Sequence, residues 1–341
     1  MLKNFKEDFL ESLLGFLWRQ WSALGVQGYS DENDTWVIDP EALMLFSLTF
    51  SRYESRLFDE IMDWLDTHGQ HIHIQRLRRI QNHEAYSSYK LLSAIAFIMA
   101  KRGKPSKWNR LASYTRIIEK PENLFYIKKS KQQAHFGATD LDFEKFGYLR
   151  GPLEFRGHTQ SIQVMKNTGL LFRLRSLFGV NARAEILLYL LTHKAGHPRK
   201  IARECYYYQK TIQDALVEMG SSGIIRIQQR GKEKHYEIRK NDWYTLLQIS
   251  GTPPVWITWP PLFRALEQVW LKINDTGFLD LDYLLQASEL RKLMKTIRPG
   301  IEMAGFGSDL SDDSQHLGEA FTPVFVKDIR WLLERLCFPK K

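Results

Sequence analysis

NARAEILLYLLTHKAGHPRKIARECYYYQKTIQDALVEMGSSGIIRIQQRGKEKHYEIRK, residues 181–240, is the stretch whose reading decides the fold. From Arg183 to Lys194, Ala184, Ile186, Leu187, Leu190 and Leu191 recur at helical spacing and give a strong apolar face. Gly196 and Pro198 punctuate a short break. A second, short helix opens with Pro198 in its first turn, where a missing N–H costs nothing, and is anchored by Ile201 and Ala202. A third helix begins after Tyr208. Its stripe, Ile212, Leu216 and Met219, is spaced four and three and must face the core, which exposes Gln209, Lys210, Gln213, Asp214 and Val217 on the other side. Gly223 stops it. Ile224 to Arg230 then alternates, with Ile225 and Ile227 against Arg226 and Gln228. Arg230-Gly231-Lys232-Glu233 reads as a hairpin turn with glycine at the permissive position. Lys234 to Lys240 alternates again, with Tyr236 and Ile238 on the inner face.

Three helices followed by a two-stranded basic hairpin make the winged helix pattern. The run Ile201-Ala202, then Thr211-Ile212, Leu216, Met219 and Gly223-Ile224-Ile225, resembles bacterial winged helix-turn-helix transcriptional regulators, including the arsenic-repressor and multiple-antibiotic-resistance-repressor types. The resemblance covers residues 181–240 and neither flank. It implies a cytoplasmic, sequence-specific binder of double-stranded DNA that regulates transcription, acting as a homodimer on a two-fold operator. Two positions depart from the pattern. Tyr206 stands in the interhelical turn where the family often has Gly, and Tyr208 starts the third helix where it often has Ser or Thr. A tyrosine cannot cap a helix as serine does, so either the turn is wider or the hydroxyl points at phosphate.

The chemistry of the exposed residues fits that role. The major groove is about 12 Å wide and accepts one helix. Gln209 and Gln213 suit adenine, with paired donor and acceptor contacts, and Lys210 suits guanine or a phosphate. Tyr208 lies at the helix start, where base-contacting residues gather. Arg199 and Lys200, opening the second helix, are placed for backbone contacts. The hairpin offers Arg230, Lys232, Lys234 and His235 to the neighbouring minor groove or phosphates. Asp214 opposes the phosphates or accepts from a cytosine amino group. Residues 181–242 hold twelve Lys or Arg against seven acids. A protein-interaction scaffold that uses the same unit without DNA is the alternative, because a fold does not fix its function.

The whole chain agrees with an anionic partner. It has 341 residues, a net charge of +9 and a pI of about 9.3. Two distant cysteines, Cys205 and Cys337, argue against a disulfide framework and fit a reducing compartment. The first residues read as an amphipathic helix, interrupted by Glu7, Asp8, Glu11 and Arg19, and not as a signal peptide. The longest apolar run, Leu91 to Ala100, is shorter than the roughly 20 residues that cross a bilayer, so no membrane partner is expected.

The expected architecture is mainly α with a small β-hairpin wing: an N-terminal helical domain (1–163), a central winged helix (164–245) and a C-terminal aromatic-rich helical region (246–341). Helices are expected over 5–24, from Pro40, over 55–68, 72–80, 86–100, 164–178, 262–273, 282–297 and 325–336. Lys101 to Gln133 carries ten Lys or Arg against two acids, either a solvated face or a phosphate-tracking patch. Residues 136–158 read as irregular linker. His68, His71 and His73 cluster without the further ligands a metal needs, and Asp309, Asp312 and Asp313 read as a plain acidic loop without the spacing of a calcium site. Glu54, Asp59 and Glu60 share a helix with Arg52 and Arg56 and read as a solvated face. No phosphate-binding glycine loop and no serine nucleophile motif occurs, so neither catalysis nor a cofactor is expected. Any small-molecule effector is left open.

Overall fold

Apolar residues three and four apart make α1 (Leu2–Ala23) a helix with one buried face, built from Phe5, Phe9, Leu13, Phe16, Leu17 and Trp21. It lies on α2 (Pro40–Phe50), which is buried along its whole length. Asp39 caps α2 by accepting the Ala42 N–H at 3.1 Å, and Pro40 takes the position whose N–H needs no partner. The computed structural model describes residues 1–28, 35–103, 106–112, 120–126, 137–312 and 315–338. Lys104, Arg116, Lys128, Lys129 and Lys131 of the basic stretch, and Asp313 of the acidic loop, lie outside them.

Next come α3 (Ser55–His68), α4 (Ile74–Glu84) and α5 (Tyr89–Lys101). The last starts three residues later than its apolar pattern, because Ala85 turns the chain in the left-handed region and the Ser87 N–H bonds Glu267. The segment read as linker holds one strand of a pair that the sequence does not announce, and the basic stretch before it holds the other. β1 (Glu122–Asn123) runs parallel to β2 (Tyr148–Leu149), with α6 (Leu141–Glu144) just before β2. Phe143, Phe146 and Tyr148 fasten it to the core, and Asp63 accepts the backbone N–H groups of Arg156, Gly157 and His158, each at 2.9 Å.

The middle of the chain is α7 (Leu170–Phe178), α8 (Ala182–Thr192), α9 (Pro198–Cys205), α10 (Gln209–Ser221), the antiparallel pair β3 (Arg226–Arg230) and β4 (Glu233–Glu237), and α11 (Lys240–Leu246). The chain closes with α12 (Trp259–Asn274), α13 (Thr276–Leu279), α14 (Tyr283–Met303) and α15 (Phe321–Cys337). Among the described residues the protein is therefore mainly helical, with one small antiparallel hairpin. Among the described residues no helix is long and apolar enough to cross a membrane.

Two apolar clusters divide the interior. The buried apolar residues of 2–148 other than Val37, and those of 257–337, join one of them: α12 packs on α2 and α1, and α15 packs on α1. Phe46 and Phe263 stack at 4.4 Å, and the Trp259 indole donates to the Val37 carbonyl at 2.8 Å. The second cluster is built from residues 170–247, and Val37 enters it from the N-terminal segment.

Five buried ionic side chains stand where the clusters meet. Arg76 on α4 bonds both oxygens of Asp39 (2.7 and 2.5 Å), Glu41 Oε2 (2.6 Å) and the Cys205 carbonyl at the end of α9 (2.9 Å). Arg175 on α7 bonds Glu41 (2.7 and 2.9 Å), Glu185 on α8 (2.5 and 3.1 Å) and the His71 carbonyl (2.7 Å). Burial opposes the charge on Glu41, yet Arg175 and Arg76 hold its carboxyl down at about 2; burial likewise opposes the charge on the two guanidinium groups, and the carboxylates outweigh it and leave both above their ordinary value. His73 belongs to the same joint: its Nδ1 accepts the Arg76 N–H at 3.0 Å and its own N–H donates to Glu41. The histidine cluster thus borders a structural joint, and no group of three or more metal-ligating side chains forms among the described residues.

Candidate nucleic-acid interface

The Asn181 side chain caps α8 by accepting the Arg183 N–H, and the His197 side chain caps α9 by accepting the Arg199 N–H at 3.2 Å, with Pro198 at its first position. Between them, Gly196 exchanges both backbone hydrogen bonds with Tyr236, each 2.9 Å, so β4 is tied to the α8–α9 connection. A side chain at Gly196 would come within 2.7 Å of both Ile201 and Tyr189, so only glycine fits this approach. β3 and β4 pair in register from Arg226↔Glu237 to Arg230↔Glu233 around a two-residue loop, with Gly231 at φ +60°.

The stripe of α10 points inward as its spacing requires. Ile212 and Leu216 are fully buried, Ala215 joins them, and Met219 near the helix end is half-buried. Gln209, Lys210, Thr211, Gln213, Asp214, Val217 and Glu218 are all exposed, and none of the described flanking residues covers them. One expectation for the hairpin fails. Ile225, Tyr236 and Ile238 are buried, but Ile227 is 49% exposed, because it lies beyond the core against Gly220 at the end of α10.

Tyr206 ends α9 in the left-handed conformation (φ 60°, ψ 46°), a cost of roughly 1–2 kcal/mol for a residue with a Cβ. That cost is offset because its ring is 4% exposed in the large cluster and its hydroxyl donates to Glu84 on α4. Burial and the Glu84 charge push that hydroxyl's pKa far up, so it stays a donor. Tyr207 is also buried, packed on His73. The interhelical turn is therefore tight and anchored in the helical body. Tyr208 follows at the cap position of α10, makes no capping bond and is 70% exposed, with the Arg79 guanidinium 4.0 Å above its ring.

The expected contact residues fall in three groups, on α9, α10 and the hairpin. Arg199 and Lys200 are exposed in the first turn of α9; Lys200 approaches Glu204 at 4.0 Å, whereas Arg199 has no acidic partner among the described residues. Gln209, Lys210 and Gln213 line α10, where Lys210 meets Asp214 at 3.2 Å. Lys232 and Lys234 are exposed on the hairpin without acidic partners among the described residues, and the Arg230 side chain lies outside what is described. His235 is half-buried, its ring 5.7 Å from His197 and its Nε2 3.4 Å from Glu233.

The electrostatics of the face follow from these partners. On α10, Lys210 is matched by Asp214 and Glu218 by Arg183 on α8, so the face these four residues share has no net charge. The unmatched cations stand on the elements before and after it, α9 and the hairpin. Two further arginines, Arg78 and Arg79, come from α4, Arg79 beside Tyr208, and neither has an acidic partner among the described residues. Nothing local in the sequence links 78–79 to 208; the only signal is that Gln75, Arg78, Asn82 and His83 recur at helical spacing on an exposed face. Cys205 is buried at the end of α9 with its thiol pushed up by burial, consistent with a small core residue. No protein-family model matches the chain, and neither a curated protein nor a solved structure matches it.

Proposed function

We propose that residues 181–240 form a winged helix-turn-helix that binds double-stranded DNA sequence-specifically, with α10 as the groove-reading helix, and that the chain is a transcriptional regulator, not an enzyme. The observation that carries this reading is the open polar face of α10, where Gln209 and Gln213 stand uncovered while Ile212 and Leu216 hold the helix from behind. A face without net charge, with cationic elements before and after it in the chain, suits this task. Base edges are read by hydrogen bonds, while phosphates on either side are met by Lys and Arg. A homodimer would select a two-fold symmetric site.

The test is selection from a randomised duplex library with the purified full-length chain at physiological salt. An enriched motif supports the reading. Gln213→Ala then changes base preference, whereas Lys232→Ala weakens all sequences alike and lowers the salt slope by about 1. Absence of any enriched motif overturns it.

A second reading, a protein-interaction scaffold, draws on exposed Val217, Ile224 and Ile227 around the end of α10 and on Asp214 and Glu218. It predicts no duplex preference and a partner contact that Val217→Asp abolishes.

A further inference from the structure

We infer that the outer face of α4, in the helical body, belongs to the same nucleic-acid interface and holds the phosphate backbone of the duplex beside the bases that α10 reads. The inference rests on the DNA-binding reading and extends it beyond residues 181–240. Three features carry it. First, α4 is locked to the α9–α10 turn: Arg76 bonds the Cys205 carbonyl, Glu84 accepts the Tyr206 hydroxyl, and Arg79 lies over Tyr208. The two surfaces therefore move as one. Second, the outward side chains of α4 are Gln75, Arg78, Asn82 and His83, with Arg79 half-buried at the border, all polar donors and none acidic. The one carboxylate on α4, Glu84, is largely buried and engaged by Tyr206 and His83. Third, the ring that Arg79 covers belongs to the residue just before Gln209, at the end of α10 where base-contacting residues gather.

A helix crossing the backbone beside the reading helix is what fixes register on a duplex, and Arg is suited to it because its planar fork meets phosphate oxygens in pairs. Arg79 has a second task, since its guanidinium holds the Tyr208 ring. Arg78 is the cleaner probe, being exposed and, unlike Arg79, not laid over the Tyr208 ring.

The experiment measures binding of full-length protein to the selected duplex and to an unrelated duplex across a salt series, for the unsubstituted chain, Arg78→Ala and Arg78→Glu, with thermal unfolding of each as the control for folding. The expected result for Arg78→Ala is a loss of roughly three- to tenfold on both duplexes, a salt slope smaller by about 1, and an unchanged preferred sequence. Arg78→Glu weakens both further. If the unsubstituted chain binds its selected duplex and both substitutions leave affinity and slope unchanged, the role of α4 is overturned while the function stands. If the unsubstituted chain binds no duplex, both fall.

Discussion

The same kinds of charged pair occur in two places in this protein, and they do different work. At the joint between the two apolar clusters, Arg76 and Arg175 bind Asp39, Glu41 and Glu185, and all five side chains are out of reach of water. On the outer face of α10 and its neighbour α8, Lys210–Asp214 and Arg183–Glu218 are exposed. In the interior, removing one partner strands a charge in a medium that cannot solvate it. At the surface, water takes the partner's place. The inner set therefore fixes how the 170–247 unit is held against the body, and the outer set can exchange its partners for those of a ligand without loss of fold.

The largest effect expected from that contrast is at Arg175. Arg175→Ala leaves Glu41 and Glu185 without their common counter-charge and should cost about 3–5 kcal/mol in urea unfolding. A loss below about 1 kcal/mol would put the joint in the same class as the surface pairs.

Acid attacks the same joint from the other side. Glu41 has a folded-state pKa of about 2, below its ordinary 4.5, so its stabilisation is full above 4.5 and disappears as pH falls through about 2. Burial keeps His73 neutral in the fold and lowers its pKa from 6.5, so folding loses its contribution as pH falls from 6.5 through that lower value. The urea midpoint should therefore begin to fall near pH 6.5 and fall again below 4.5. His73→Asn, which keeps a capping acceptor and does not titrate, should remove the first descent and keep the second.

Tyr206 sharpens the boundary between the two regions. Tyr206→Phe keeps the ring and loses the bond to Glu84, an expected cost of about 1 kcal/mol read from the thermal midpoint. A neutral result would mean that ring burial alone offsets the left-handed backbone. Smallest is Lys210→Ala, which should change stability by less than about 0.5 kcal/mol. Asp214→Asn should be equally silent in unfolding yet tighten duplex binding, since it removes a negative charge from the face presented to phosphate.

Local periodicity made much of the unit legible. Ile212 and Leu216 had to be inside because four-residue spacing places them on one face, and Pro198 and Gly223 mark helix ends for reasons that need no partner. Where the reading missed, a distant segment or the edge of the core decides. Ile227 keeps the strand alternation but lies past the core's rim, against the end of α10. Tyr206 tolerates a glycine-like backbone because Glu84, far away in the chain, receives its hydroxyl. The joint draws on residues 39, 41, 76, 175 and 185, and pattern rules, which extend over a turn or two of helix, do not pair such positions. The flanks illustrate the same limit: their helices were visible one by one, but that α12 packs on α2 and α15 on α1 follows only from three-dimensional packing.

The presence of Val37 in the interior of the 170–247 unit, together with the grip of Arg76 on the last carbonyl of α9, has a practical consequence. This unit is not a cassette that can be cut out and grafted elsewhere. Excision would open a hole where Val37 sits, turn the Tyr206 ring out to solvent, uncover the side of Tyr207 that packs on His73, and leave a strained backbone with nothing to compensate it. Activity maps made from truncated fragments would then report the damage of cutting, not the division of labour within the whole chain.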